Sequence, residues 1–155
     1  MDSAAAVLSQ YADMVYRLAF ARTQNRFDAD DVLQEVFLRY IRSAPVFREE
    51  EHRRAWLIRT TINCSKNMLT SAWFRRTVPL EDTLAAELSD TGEVYDAVMR
   101  LSQAHRTVIH LFYYEGYSVA EISGLLGCKP ATVKTRLHRA RNQLREALKG
   151  EMDDV

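Results

Sequence analysis

Glycine, proline and cysteine are scarce in this chain of 155 residues, at five, three and two positions respectively. So few backbone breakers disfavour a strand-rich fold with many tight turns and favour helices. The two cysteines, Cys64 and Cys128, are too distant for a Cys-x-x-Cys metal site and too few for a disulfide framework. No run approaches the roughly 20 apolar residues that span a bilayer. The N-terminal stretch MDSAAAVLSQYADMVY has no basic region followed by an unbroken apolar run, so it does not read as a signal peptide. A reducing, cytoplasmic setting is expected. There is also no glycine-rich phosphate loop, no nucleophile elbow and no metal-spaced set of His and Cys. His52, His105, His110 and His138 are scattered, and His105 and His110 fall near an apolar helix face where structural histidines are expected. Neither an enzyme nor a cofactor-binding protein is expected.

Net charge is zero, yet the charges are segregated. From Lys129 to Lys149 seven basic residues face Glu146 alone, whereas Leu80 to Asp96 holds six acids and no Lys or Arg. A neutral total therefore conceals a basic C-terminal segment.

Apolar periodicity divides the chain into helices. Leu8, Ala12, Val15, Leu18 and Ala19 predict a first helix to about Thr23. Asp28 or Asp30 can cap a second, running to about Ser43, with Val32, Leu33, Val36, Phe37, Tyr40 and Ile41 on its core face and Pro45 ending it. The third, HRRAWLIRTTINCSKNMLTSAWF, places Leu57, Ile58, Thr61, Ile62, Met68 and Leu69 on its buried side. The stretch RRTVPLEDTLAAELSDTGE has the weakest periodicity and reads as an acidic linker, partly helical around Ala85. The expected architecture is all-α: two small helical domains, 1–76 and 97–150, joined by a linker at 77–96.

The segment GYSVAEISGLLGCKPATVKTRLHRARNQLRE carries the chemistry. Ser118 and Glu121 have capping-box spacing, Gly127 sits where a left-handed residue ends a helix, and Pro130 suits the first turn of the next. Val133, Leu137, Ala140 and Leu144 form one apolar stripe, leaving Lys134, Thr135, Arg136, His138, Arg139, Arg141 and Arg145 on the other faces. A helix–turn–helix needs this division, because one face locks against its partner helix and the other enters the major groove.

Three stretches, DADDVLQEVFLRYIR, AWLIRTTINCSKNML and RTVIHLFYYEGYSVAEISGLLGCKPATVKTRLHRARNQLRE, resemble in order and spacing conserved parts of bacterial RNA polymerase sigma factors. The resemblance is to the compact extracytoplasmic-function (ECF) group, which keeps sigma domains two and four, and it runs from Val7 to Leu148. It implies an alternative sigma factor that binds core RNA polymerase and directs promoter-specific initiation. Asp31, Gln34 and Glu35 match positions that dock on the clamp helices of the polymerase's largest subunit; their i, i+3, i+4 spacing also puts them on one helix face. Phe47 and Asn63 match positions that hold a flipped-out base of the melted −10 element. An aromatic ring offers a stacking surface, and an amide offers both donor and acceptor. Arg59, Asn63, Lys66 and Asn67 share a helix face and would follow the strand, and Trp56 packs at the domain's edge. Arg53, Arg54, Arg75 and Arg76 suit phosphates.

In domain four, Lys134, Thr135, His138 and Arg139 match base-reading positions for the −35 element, with Ser118, Arg136 and Arg141 on phosphates. Promoter DNA, core polymerase and an anti-sigma factor are the partners implied. Two departures stand out: Ser102 replaces the usual proline before the long helix of domain four, weakening its start, and REEEHRR puts three acids beside the −10 reader. The rival reading is a stand-alone helix–turn–helix regulator, which accounts for Gly116 to Glu146 but not for Asp31, Gln34, Glu35, Phe47 or Asn63.

Overall fold

The computed structural model describes residues 3–73 and 93–153, with side-chain surroundings described to residues 67 and 149 of the two stretches. Every regular element among them is helical. The chain divides into two compact units, 1–81 and 82–155. The linker with its expected turn around Ala85, and Arg75 and Arg76, lie outside the described residues, as do the side chains of Met68 and Leu69.

The first unit packs three helices: α1 (Ala4–Thr23), α2 (Arg26–Ser43) and α3 (Glu50–Trp73). Helix α1 buries Val7, Tyr11, Met14, Val15, Leu18 and Ala19, the i, i+4, i+7 stripe of an amphipathic helix. The expected stripe was one residue out of phase at its start, since Val7 is buried and Leu8 is 42% exposed. Ala29, Val32, Val36, Phe37 and Tyr40 of α2 and Leu57, Ile58, Ile62 and Cys64 of α3 are buried where the three helices pack on one another. Full burial of a side chain such as Leu18 or Leu57 contributes about 1.5–3 kcal/mol. Leu33 is half-buried and Ile41 is 59% exposed, so α2's core face is narrower than its apolar pattern predicts.

Polar groups in this core have partners. Arg22 Nε donates to Ser65 Oγ at 2.5 Å, and Ser65 donates to the Ile62 carbonyl at 2.8 Å. Helix α2 is capped neither by Asp28 nor by Asp30. Asn25 does it, with Oδ1 accepting from the backbone N–H groups of Phe27 and Asp28 at 2.8 and 3.0 Å. Two helical residues therefore precede Asp28, whose carboxylate instead meets the positive end of the helix dipole. At the other end α2 stops on Ala44, in the left-handed region at φ 43°, which re-aims the chain before Pro45 can break it.

The second unit comprises α4 (Glu93–Met99), α5 (Gln103–Ile109), a π-helical turn (His110–Tyr114), α6 (Val119–Leu126) and α7 (Pro130–Asp153). Helices α4, α5 and α6 pack on α7. Ala97, Leu101, Val108, Ile109, Leu111, Ile122, Leu125, Val133, Leu137 and Ala140 are the core. Ser102 does not weaken α5. It is the N-cap, and its side chain accepts from the His105 N–H at 3.4 Å. The π turn is marked by Glu115 N–H donating to the His110 carbonyl, five residues back, at 3.0 Å. Across that turn the His110 ring Nε2 bonds Glu115 Oε2 at 2.9 Å with both side chains buried, and the ring stacks on Tyr114.

Candidate nucleic-acid and polymerase interfaces

The α6–α7 pair is built from local signals that agree with one another. The Ser118 hydroxyl accepts from the Glu121 N–H at 3.1 Å and Glu121 Oε1 accepts from the Ser118 N–H at 3.0 Å, so the capping box is closed. Gly127 ends α6 at φ 66°. The turn is pinned by Ser123: its carbonyl accepts from the Cys128 N–H at 3.2 Å and its hydroxyl donates to the Cys128 carbonyl at 2.5 Å. The Lys129 carbonyl then receives the Thr132 and Val133 N–H groups, starting α7 at Pro130.

Helix α7 buries Val133, Leu137 and Ala140, while Leu144 is half-buried. Lys134, Thr135, His138 and Arg139 are exposed, and Arg136 and Arg141 are half-buried. Internal bonds define what some of these side chains offer. The Thr135 hydroxyl donates to the Ala131 carbonyl at 2.9 Å, so its methyl group and a lone pair remain for a ligand. The Asn142 amide nitrogen lies 3.2 Å from His138 Nε2, which engages one of the two ring nitrogens within the helix. Arg141 Nε donates to the Tyr113 hydroxyl, and its guanidinium lies over the Phe112 and Tyr113 rings. Sequence reasoning missed that aromatic seat, because Phe112 and Tyr113 precede Arg141 by 29 and 28 residues and stand on a different element.

In the first unit, Asp31 and Gln34 are exposed on α2, opposite buried Val32 and Val36. Glu35 shares their side but is half-exposed and paired with Arg39 at 3.1 Å. On α3, Arg59, Asn63, Lys66 and Asn67 are all exposed and follow helical spacing.

The loop from α2 to α3 carries Phe47, half-buried, with its ring edge-on to Trp56 at 6.4 Å; Trp56 is in turn edge-on to Tyr40 at 5.6 Å. Trp56 and Asn63 are seven residues apart, about 10 Å along the helix axis at 1.5 Å per residue. The ring of Phe47 thus rests at one level of α3 and Asn63 stands two turns further on. A cavity of about 550 Å³ opens beside the loop, lined among others by Tyr40, Phe47, Glu49, Glu50 and Arg53. Arg53 is not a free phosphate contact: its Nε donates to the Tyr40 hydroxyl at 3.2 Å and its guanidinium lies 5.6 Å from the Phe47 ring centroid. Glu50 pairs with Arg53 and accepts from the Tyr11 hydroxyl at 2.5 Å. All three acids in REEEHRR are exposed, and Glu50 among them is tied to the fold by its bonds to Tyr11 and Arg53.

Comparison with known proteins agrees with this arrangement. Residues 7–75 match the model of Sigma-70 region 2, and residues 91–144 that of Sigma-70, region 4. The ECF RNA polymerase sigma factor SigM of Mycobacterium tuberculosis is 34% identical over 86% of this chain and 71% of its own length. SigL of the same species is 33% identical over 92% of this chain and 87% of its own length. SigE of Mycolicibacterium smegmatis is 34% identical over 92% of the chain, which spans 60% of that longer relative. Two solved structures share the fold. The sigma factor RpoE of Bartonella quintana, in complex with the anti-sigma factor NepR, aligns at TM-score 0.68 and 23% identity over 92% of this chain and 94% of its own. CnrH, in complex with the cytosolic domain of CnrY, aligns at 0.69 and 22% over 95% and 88%. A region 2 helical bundle followed by a region 4 helix–turn–helix defines a sigma factor. The chain belongs to the ECF group of RNA polymerase sigma factors. Among the described residues no helix is long and apolar enough to cross a membrane.

Proposed function

We propose that this ECF sigma factor directs promoter-specific initiation through three surfaces on two functional domains, 1–76 and 97–150, joined by the linker 77–96. Asp31, Gln34 and Glu35 dock on the clamp helices of the largest polymerase subunit. Lys134, Thr135, His138 and Arg139 read the −35 duplex, with Ser118, Arg136 and Arg141 on phosphates. Phe47 and Asn63 capture unpaired −10 bases, and Arg59, Lys66 and Asn67 carry the strand. The observation that supports this reading best is the division of α7, whose stripe of Val133, Leu137 and Ala140 is buried while Lys134, Thr135, His138 and Arg139 stand exposed.

Capture of the −10 strand offsets a base-unpairing cost of a few kcal/mol per flipped base. The protein supplies no catalytic group, since the polymerase performs the chemistry. With zero net charge and one strongly basic helix, counterion release is modest, so tight promoter binding depends on the polymerase. An anti-sigma factor is the expected inhibitor, a partner class seen in the complex of the similar sigma factor RpoE with the anti-sigma factor NepR, and the complex operates in the cytoplasm, where the polymerase is.

The decisive experiment is transcription by purified core polymerase on a random promoter library, with this protein or its Asp31→Ala/Gln34→Ala/Glu35→Ala variant. Specific transcripts that depend on the protein and vanish with the variant are expected. Tight binding to duplex without polymerase, and no transcripts, would replace this reading with a stand-alone regulator.

A further inference from the structure

The three acids beside the −10 reader pose a physical problem, because carboxylates repel a phosphodiester strand. Glu50 answers part of it. Its two oxygens are engaged by different elements: Oε2 by the hydroxyl of Tyr11, from the middle of α1, and Oε1 by the guanidinium of Arg53, one turn along α3. Tyr11 is 7% exposed, so its hydroxyl is fixed by the core it belongs to. The Arg53 side chain is 13% exposed. Held at one end by Glu50 and at the other by the Tyr40 hydroxyl, it lies against the Phe47 ring. Phe47 stands in the loop between Ser43 and Glu50, where the chain leaves α2 through the left-handed Ala44, and besides Arg53 its ring meets Trp56 of α3 edge-on.

We infer that Tyr11, Glu50 and Arg53 are positioning residues. They form a relay from the core of the first unit to the Phe47 ring and hold it, together with the adjoining cavity, in the shape that receives one unpaired nucleobase. This rests on the reading of Phe47 as a base-capturing residue. The relay lowers the ordering cost of capture because the ring is already in place when the strand opens. It also pairs the exposed Glu50 carboxylate with a guanidinium, which weakens its repulsion of the phosphate backbone.

The test uses holoenzyme assembled with core polymerase and a promoter carrying 2-aminopurine at the captured −10 position, whose fluorescence reports unstacking and capture. A second template has an abasic site there, and strand opening on both templates is also read as the rate of open-complex formation. Four variants are compared with wild type: Phe47→Ala, Tyr11→Phe, Glu50→Gln and the double variant Tyr11→Phe/Phe47→Ala. Tyr11→Phe keeps the ring in the core and loses only the hydroxyl.

The expected result is that Tyr11→Phe and Glu50→Gln each slow capture about three- to tenfold on the base-bearing template and leave opening of the abasic one unchanged, and that Tyr11→Phe adds nothing to Phe47→Ala, because coupled residues are not additive. Losses by Tyr11→Phe and Glu50→Gln that persist on the abasic template would mean a general structural role and overturn the inference. Wild-type capture by both of those variants, with Phe47→Ala defective, would overturn it and leave the reading of Phe47 intact. Normal capture by Phe47→Ala would remove that reading and the relay's purpose with it.

Discussion

Arg141 Nε donates to the hydroxyl of Tyr113 at 2.7 Å across 28 residues of sequence, tying the recognition helix to the π-helical turn that precedes the helix–turn–helix. Tyr113→Phe keeps the ring under the guanidinium and deletes the acceptor. A net hydrogen bond contributes about 0.5–1.5 kcal/mol, and the low end applies at this exposed site. Thermal unfolding should show a small loss, and −35 binding by the holoenzyme should weaken about two- to fivefold. Unchanged binding would mean that Arg141 reaches phosphate without its seat.

Two cations of α7, half-buried Arg136 and exposed Arg139, should separate by salt dependence. Arg136→Ala should flatten the slope of log affinity against log salt by about one, with matched and scrambled −35 elements affected alike. Arg139→Ala should cost about 1–3 kcal/mol and also erode the preference for the matched element. A holoenzyme binding series in potassium chloride checks both. An Arg139→Ala variant with full preference would remove that residue from base reading.

Asn25 and Asp30 offer a clean contrast in helix capping. Asn25→Ala leaves two N–H donors of α2 without their acceptor and should cost about 1 kcal/mol, whereas Asp30→Ala should cost far less. Urea unfolding of the two variants measures the difference, and equal losses would contradict Asn25 as the cap.

Ala44 occupies the left-handed region at φ 43°, where a Cβ is strained by about 1–2 kcal/mol. Ala44→Gly should be neutral or stabilising by up to about 1 kcal/mol, since relief of strain is offset by a freer unfolded chain. Ala44→Val should be clearly destabilising. The same denaturant series reads both.

The two thiols should differ in reactivity. Burial pushes the Cys64 thiol up from its ordinary value; Arg39 pulls it part of the way back and Glu35 raises it. Since the thiolate is the nucleophile, a maleimide at mildly alkaline pH should label Cys128 in the native protein and both thiols in denaturant, as mass spectrometry would count. The linkage has one sign. Below the ordinary thiol value both states hold the proton and nothing is lost; as pH rises toward the raised native value the unfolded thiol ionises first, so stability falls. Cys64→Ala should remove that fall.

Sequence by itself determined whatever is written within a turn or two of helix. The Ser118–Glu121 box, the left-handed Gly127, Pro130 at the start of α7 and the stripe of Val133, Leu137 and Ala140 all depend on spacings of three to four residues. They were legible without any partner, as were the extents of α1 and α2 to within a few residues. Tertiary structure decided what depends on which face meets a neighbour. Val7 rather than Leu8 is buried, Ile41 is left exposed, and Asn25 takes the cap because the chain turns there, not at an aspartate. The relay from Tyr11 through Glu50 and Arg53 to Phe47, and the seat of Arg141 on Tyr113, join residues on different elements. No local pattern encodes such contacts, because they exist only when packing of the apolar stripes has set the distance between helices.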